Sequence, residues 1–195
     1  MKILVATRNK DKFNLVVTLL SSTIFKNVNT EYYNLDNLEE EITDKVESGD
    51  VIERSFGKAI NAFSSIQINT FDYIVGIDDG IKLKGEIKEN VKDYVKDIIE
   101  DRYLQSDELI YIEKAMTFIN KDGKRKSIII EIPFKYRKLD TSIQLVENSY
   151  PLNHVMVTLN SNKSVAEQTL EEANQYYLTY ALEKLEEVRN FFGMN

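Results

Sequence analysis

Three short stretches of the chain hold side chains suited to gripping a polyphosphate and a hard cation. The first is Thr7-Arg8-Asn9-Lys10-Asp11-Lys12. Thr7 and Asn9 offer hydrogen bonds to phosphate oxygens, while Arg8 and Lys12 supply point charges. Between a strand and a helix, such a loop also turns free backbone N–H groups and the positive helix end toward an anion. The alternative is a capped helix start with solvated basic residues. The second stretch is Glu53 followed by Gly57, Lys58 and Asn61. On a helix Glu53, Gly57 and Asn61 line one face, and a glycine one turn from a carboxylate leaves room for a ligand or another backbone. The alternative is an exposed helix with Glu and Lys at ordinary positions. The third is Gly76-Ile77-Asp78-Asp79-Gly80, closing an apolar run. Adjacent carboxylates repel unless a cation or a shared proton compensates, and Mg²⁺, which bridges protein oxygens to phosphates, meets that need. The alternative is a tight turn at Asp79-Gly80.

Two scarcities narrow the chemistry. The chain has no cysteine, which rules out disulfides, thiolate catalysis and cysteine-ligated zinc. His154 is the only histidine, so a multi-histidine metal site is impossible. His154 is open to two readings, a general base or phosphate contact and a structural residue at a strand start. Any catalysis rests mainly on carboxylates, lysines, hydroxyls and an oxygen-bound cation. Tyr176, Tyr177 and Tyr180 offer either a surface for stacking a purine or a core or dimer-interface patch.

The elements that must position these groups follow from hydrophobic spacing. Lys2 to Ala6 is a short continuous apolar run, as in a strand buried on both faces. After the Thr7–Lys12 turn, Phe13, Val16, Val17 and Leu20 fall at helical spacing. The stretch from Asn27 to Asp50 holds a short strand around Tyr32–Leu35 and a Glu-rich loop. Val51 to Ile66 is a second helix and Phe71 to Ile77 a second buried strand, ending at Asp78-Asp79-Gly80. Glu86 to Arg102 has Val91, Tyr94, Val95, Ile98 and Ile99 at helical spacing and predicts an amphipathic helix. Ala115–Asn120 and Ser127–Ile132 are strands joined through Asp122-Gly123, a hairpin signal. Val155–Leu159 is a further short strand. Ser164 to Phe192 is a long amphipathic helix, entered through the Ser164-x-x-Glu167 capping box. With 195 residues and no low-complexity linker, one domain is expected.

The formal charge of −7 argues against nucleic acid as the main partner, because such proteins usually display a basic face. It excludes little about small phosphorylated ligands, whose charge a metal and a few local cations neutralise. No apolar stretch approaches the roughly 20 residues needed to span a bilayer, and the first residues run straight into a strand without a leader pattern. A cytoplasmic protein without membrane contact is the expectation.

Taken in order, the three stretches resemble the superfamily of inosine/xanthosine triphosphatases and inosine triphosphate pyrophosphatases (ITPase-like). Ile3-Leu-Val-Ala-Thr7-Arg-Asn9-Lys-Asp-Lys12 is similar to its opening strand and Ser/Thr-x-Asn-x-x-Lys phosphate loop. Glu53-Arg-Ser-Phe-Gly57-Lys-Ala-Ile-Asn61-Ala62 resembles the second helix of the inosine/xanthosine branch. Val75-Gly-Ile-Asp78-Asp79-Gly80-Ile81 resembles that branch's Gly-Ile-Glu-x-Gly-Val/Ile segment and the paired-Asp segment of the other branch. Glu131-Ile-Pro133 sits where the family has a strand ending in Leu-Pro. The chain departs at Asn61, where the family usually has Arg, and in lacking the glycines expected near His154. It also lacks the Ser-His-Arg base-reading motif of the pyrophosphatase branch.

The resemblance implies an α/β fold of elongated ITPase-like type: a central mixed β-sheet flanked by helices, with a cleft at the strand ends. It implies a single domain over 1–195 with a helical insertion at about 85–112, and a homodimer. It further implies hydrolysis of deaminated purine nucleoside triphosphates such as ITP and XTP, a house-cleaning of the nucleotide pool that depends on Mg²⁺, with Mn²⁺ as a substitute. Carried over, Thr7, Arg8, Asn9, Lys12, Lys58 and Asn61 contact substrate, and Glu53 and Asp78 bind the metal. Asp78 and Asp79 are then catalytic, Asp79 orienting or deprotonating water. The rival expectation is a divergent nucleotide-binding or protein-interaction module on the same fold.

Overall fold

The structure is a computed structural model that describes residues 1–38, 42, 49–66, 70–88, 91–100, 104–139 and 150–194. Its first strand, β1 (Lys2–Ala6), has Ile3, Leu4 and Val5 fully buried, as a continuous apolar run requires. It pairs in parallel with β2 (Glu31–Asn34) on one side and β3 (Tyr73–Leu83) on the other, with Leu4 opposite both Tyr33 and Ile74. Helix α1 (Lys10–Ser22) joins β1 to β2, and α2 (Val51–Ser65) precedes β3. Strand β4 (Glu86–Lys88) folds back antiparallel onto β3. Helix α3 (Val91–Ile99) precedes the long hairpin strands β5 (Leu109–Asn120) and β6 (Arg125–Tyr136). Strand β7 (Met156–Thr158) pairs antiparallel with β6, and α4 (Leu170–Phe192) ends the described chain. The mixed sheet runs β2-β1-β3-β5-β6-β7, with β4 on β3. The α/β class expected from sequence is the class observed.

The chain packs as two compact units. The first comprises Met1–Asp78, Lys114–Ile130 and Leu178–Asn195. Part of its core is a cluster of Leu4, Ala6, Leu35, Ile42, Ala62, Ile66, Phe71 and Ile74. The second comprises Asp79–Glu113 and Glu131–Tyr177. There the buried Tyr176 donates its hydroxyl to the Pro133 carbonyl and accepts the Leu159 N–H at 3.2 Å, which makes it a structural clamp. His154 ends a 3₁₀ turn, Pro151–His154, and is buried. No helix among the described residues is long and apolar enough to cross a membrane.

Several boundaries differ from expectation. Strand β3 does not stop at Asp78-Asp79-Gly80 but runs on to Leu83, so no turn forms there. Glu86–Lys88 is an edge strand rather than a helix start, because Lys84 and Gly85 at φ 51° and 82° reverse the chain onto β3. Among the described residues, helix α3 covers Val91–Ile99 of the expected span. The hairpin turn sits where expected, with Gly123 at φ 79°, but its strands are longer. The Ser164 box exists, with the Ser164 N–H on the Glu167 carboxylate at 2.6 Å, yet it opens a 3₁₀ turn. A second reciprocal pair, Thr169 and Glu172, caps the start of α4. Most of the Glu-rich loop before Asp50 lies outside the described residues.

Candidate functional site

The site is built around Asp78, only 5 % exposed in the middle of β3. Alternate residues of a strand share a face, so Gly76 and Asp78 point the same way and Asp79 the other. Helix α2 crosses the Gly76–Asp78 face, and Gly76 lets it come close. A Cβ at Gly76 would lie 2.0 Å from the Ser55 carbonyl oxygen and 2.8 Å from the Ala59 nitrogen. That close approach puts Arg54 and Lys58, one turn apart on α2, beside the carboxylate two residues along the strand.

Three cations converge on Asp78. Lys12, in the first turn of α1, donates to Oδ1 at 3.1 Å, and Lys58 donates to the same oxygen at 3.1 Å. Arg54 donates Nε–H to Oδ2 and Nη1–H to the Gly49 carbonyl at 2.9 Å. Arg54 is buried like its partner, whereas the side chains of Lys12 and Lys58 are 21 % and 23 % exposed. One oxygen of Asp78 is thus locked by an interior guanidinium, and the other is shared by two ammonium groups that reach solvent. Burial alone would raise the Asp78 carboxyl; Lys12, Arg54 and Lys58 together overcome it and lower it to about 2. A carboxylate held so far down is a permanent anion and a poor general base at neutral pH.

This carries a pH prediction. A group lowered on folding contributes stability above its unfolded value and loses it as pH falls through the folded one. Asp78 therefore contributes in full above about pH 4, near its ordinary value of 3.8, and that contribution disappears on acidification toward about pH 2. Glu167, lowered to about 2 chiefly by the Ser164 backbone N–H and also by Arg137, steepens the same limb. The test is therefore a difference: denaturant unfolding from pH 5 to pH 2 should show a shallower acid limb in Asp78→Asn than in the wild type. Equal slopes would remove Asp78 from this account.

The remaining expected residues fall in other places. Asn9 is the N-cap of α1, accepting the N–H groups of Asp11 and Lys12 at 2.9 and 3.0 Å, and Thr7 accepts the Asn9 N–H at 3.1 Å. Their side chains shape the loop that presents Lys12. Arg8 is engaged by the Ile42 carbonyl at 2.8 Å and by Asp36 at 3.7 Å. Glu53 is exposed and forms a capping box with Asp50, accepting its N–H at 3.1 Å. Asn61 is half-buried, one turn beyond Lys58 on α2. Gly57 is exposed, with nothing within 4 Å of an added Cβ.

Asp79 corrects the idea of two carboxylates in one site. Adjacency in sequence would bring them together only in a turn; in a continuous strand it separates them. Asp79 instead faces Tyr177, whose phenol burial and the Asp79 charge push up. Tyr177 also lies against Phe134, with ring centroids 6.2 Å apart. Arg54 is the residue that sequence reasoning missed. The helical face drawn through Glu53, Gly57 and Asn61 is offset by one residue from the face that meets Asp78, which carries Arg54 and Lys58.

Among the described residues no group of three acidic or histidine side chains is disposed to hold a metal ion. A single buried carboxylate can hold Mg²⁺ that arrives coordinated to phosphate, an ion that often takes only one or two protein carboxylates, provided Lys12 and Lys58 turn from Asp78 to that phosphate.

No family model and no curated protein sequence matches the chain. Solved structures do. A nucleoside-triphosphatase described as a dITP/XTP pyrophosphatase from Mycobacterium abscessus is similar with a TM-score of 0.60 at 16% identity, over 96% of this chain and 97% of that one. The Ham1 protein of Staphylococcus aureus gives 0.64 at 12% identity, over 97% and 98%. A HAM1 protein from Coxiella burnetii gives 0.63 at 15%, over 97% and 98%. The chain has the fold of these proteins along nearly its whole length.

Proposed function

We propose that the chain hydrolyses the phosphate anhydride of non-standard purine nucleoside triphosphates such as ITP and XTP, with Mg²⁺. The observation that carries this reading is the meeting of Lys12 and Lys58, from two different helices, on one oxygen of a buried carboxylate. A similar fold in a dITP/XTP pyrophosphatase supports it. The two ammonium groups are gathered by Asp78 at the solvent edge, where a stronger anion can reach them. A polyphosphate oxygen competes with Asp78 Oδ1 for them, while Arg54 keeps Oδ2 in place. As the lysines turn to phosphate, two of the three charges that hold Asp78 down are drawn off. Its basicity recovers as substrate binds, and Oδ1 can then orient a water molecule. That water forms the new P–O bond, the anhydride P–O bond breaks, and the phosphate-bearing fragment leaves, the water's protons passing to solvent. Asp78 is the protein oxygen proposed for Mg²⁺, which would supply neutralisation of phosphate charge when bound, while Glu53, on the neighbouring face of α2, stays with its capping box. Asp79, on the far face of β3, takes no part in this scheme.

A screen of phosphate and pyrophosphate release over ITP, XTP, dUTP and the standard nucleotides, with and without Mg²⁺, tests the reading. Turnover confined to ITP and XTP and lost on chelation is the expected result. The full occupation of Asp78 by cations favours one other reading, a nucleotide-binding module without chemistry. Measurable nucleotide binding with no release from any substrate would establish that alternative.

A further inference from the structure

Below the charged cluster, α2 is tied to the sheet by groups that carry no charge. Ser55 and Thr117 are both fully buried. The Ser55 and Thr117 hydroxyl oxygens lie 2.8 Å apart, and those of Thr117 and Ser127 also 2.8 Å. The Ser55 hydroxyl donates to the Ile52 carbonyl at 2.9 Å. A hydroxyl has one proton to give. With that of Ser55 committed to Ile52, the proton between Ser55 and Thr117 is Thr117's, and the one between Thr117 and Ser127 is Ser127's. The chain therefore runs one way, from Ser127 on β6 through Thr117 on β5 to Ser55 on α2 and its own backbone, with every proton used once.

Ser55 is the neighbour of Arg54, and its carbonyl oxygen is the atom that a Cβ on Gly76 would meet first. The same helical turn is therefore located twice: by backbone contact with β3, and by a directional hydrogen-bond chain from β5 and β6. The other fully buried contacts of α2, Ala59 and Ala62, are apolar and tolerate sliding. Hydrogen bonds of fixed polarity do not, and buried hydroxyls are costly unless matched. We propose that Ser55, Thr117 and Ser127 are positioning residues that set the register of α2, so that Arg54 and Lys58 meet Asp78 in the geometry that receives phosphate. This inference rests on the phosphate-site reading above.

Thr117→Val tests it, since valine keeps the shape and removes both hydroxyl contacts while Ser55 retains its bond to Ile52. The readouts are calorimetric binding of inorganic pyrophosphate and a crystal structure of the variant. The expected result is about a fivefold to tenfold weaker affinity, the shift that the net contribution of one hydrogen bond gives, with Lys58 displaced from Asp78. Thr117→Ser should restore affinity to within about twofold, because it returns the hydroxyl. If Thr117→Val does not fold, Ser127→Ala, which breaks only the half-buried outer contact, should still weaken pyrophosphate binding measurably. A lowered melting temperature with unchanged pyrophosphate affinity and an unmoved Lys58 overturns the positioning role alone. Wild-type protein that binds no pyrophosphate overturns the phosphate-site reading and the proposal with it.

Discussion

Asp78→Asn should cost about 3 kcal/mol of folding stability and about a hundredfold to a thousandfold of turnover, while Asp79→Asn should leave turnover near normal. The asymmetry follows from which way each carboxylate points. Asp78 is the counter-charge of the buried Arg54 and the shared acceptor of Lys12 and Lys58. Neutralising it takes the carboxylate away from an interior guanidinium whose Nη1–H is held by the Gly49 carbonyl. Removing one partner of a buried pair is far more damaging than the net contribution of the pair suggests, because the other charge stays desolvated. For a chain of this size the loss corresponds to a melting point lower by roughly 6–12 °C. The asparagine amide would also direct N–H donors at the ammonium groups, scattering the phosphate-gripping arrangement. Asp79 points to the other face of β3, toward Tyr177, and is only half-buried, so its neutralisation leaves the Lys12–Arg54–Lys58 cluster untouched. Thermal unfolding at neutral pH beside the release assay measures both effects. An Asp78→Asn protein as stable and active as the wild type would mean that this cluster is neither structural nor functional.

The parts of the fold that sequence disclosed are those decided locally. β1 is a continuous apolar run, Phe13, Val16, Val17 and Leu20 mark α1 by their spacing, and Asp122-Gly123 turns the hairpin. Where pairing with a distant segment decides, local signals mislead. Asp78-Asp79-Gly80 looks like the end of a strand, yet β3 is carried on by its antiparallel partner β4. Glu86 to Lys88 fits a helical pattern until the Lys84-Gly85 reversal, a glycine turn signal visible in sequence, lays it against β3. Two consecutive Ser/Thr-x-x-Glu boxes precede the last helix, and only the second, Thr169 to Glu172, leads into it. In the site, Lys12, Lys58 and Asp78 were identifiable from residue type and order. Arg54 was not, because a helix rotates by about 100° per residue, and choosing Glu53 as the inward residue turns its neighbour away. Only the packing of α2 on Gly76 settles which of the two faces the strand.

That packing makes two glycines respond in opposite directions to the same substitution. Gly57→Ala should stabilise the chain by about 0.5–1 kcal/mol, since the position is exposed within a helix and an added Cβ meets nothing within 4 Å. Gly76→Ala should destabilise it by about 1–3 kcal/mol or more, because the new methyl would overlap the Ser55 carbonyl at 2.0 Å and the Ala59 backbone. These are main-chain atoms of α2, so no side-chain rotation relieves the clash, and the helix itself must lift from β3. Lifting it moves Arg54 and Lys58 together, whereas Lys12 on α1 stays. The cluster then opens on one side only, and a misplacement of about 1 Å in groups that orient substrate costs on the order of a hundredfold in rate. Unfolding curves and turnover on the two variants should therefore diverge: Gly57→Ala more stable with near-normal activity, Gly76→Ala weaker in both. If Gly76→Ala leaves stability and activity intact, α2 is not seated on that glycine, and the geometry that brings Arg54 and Lys58 to Asp78 must have another origin.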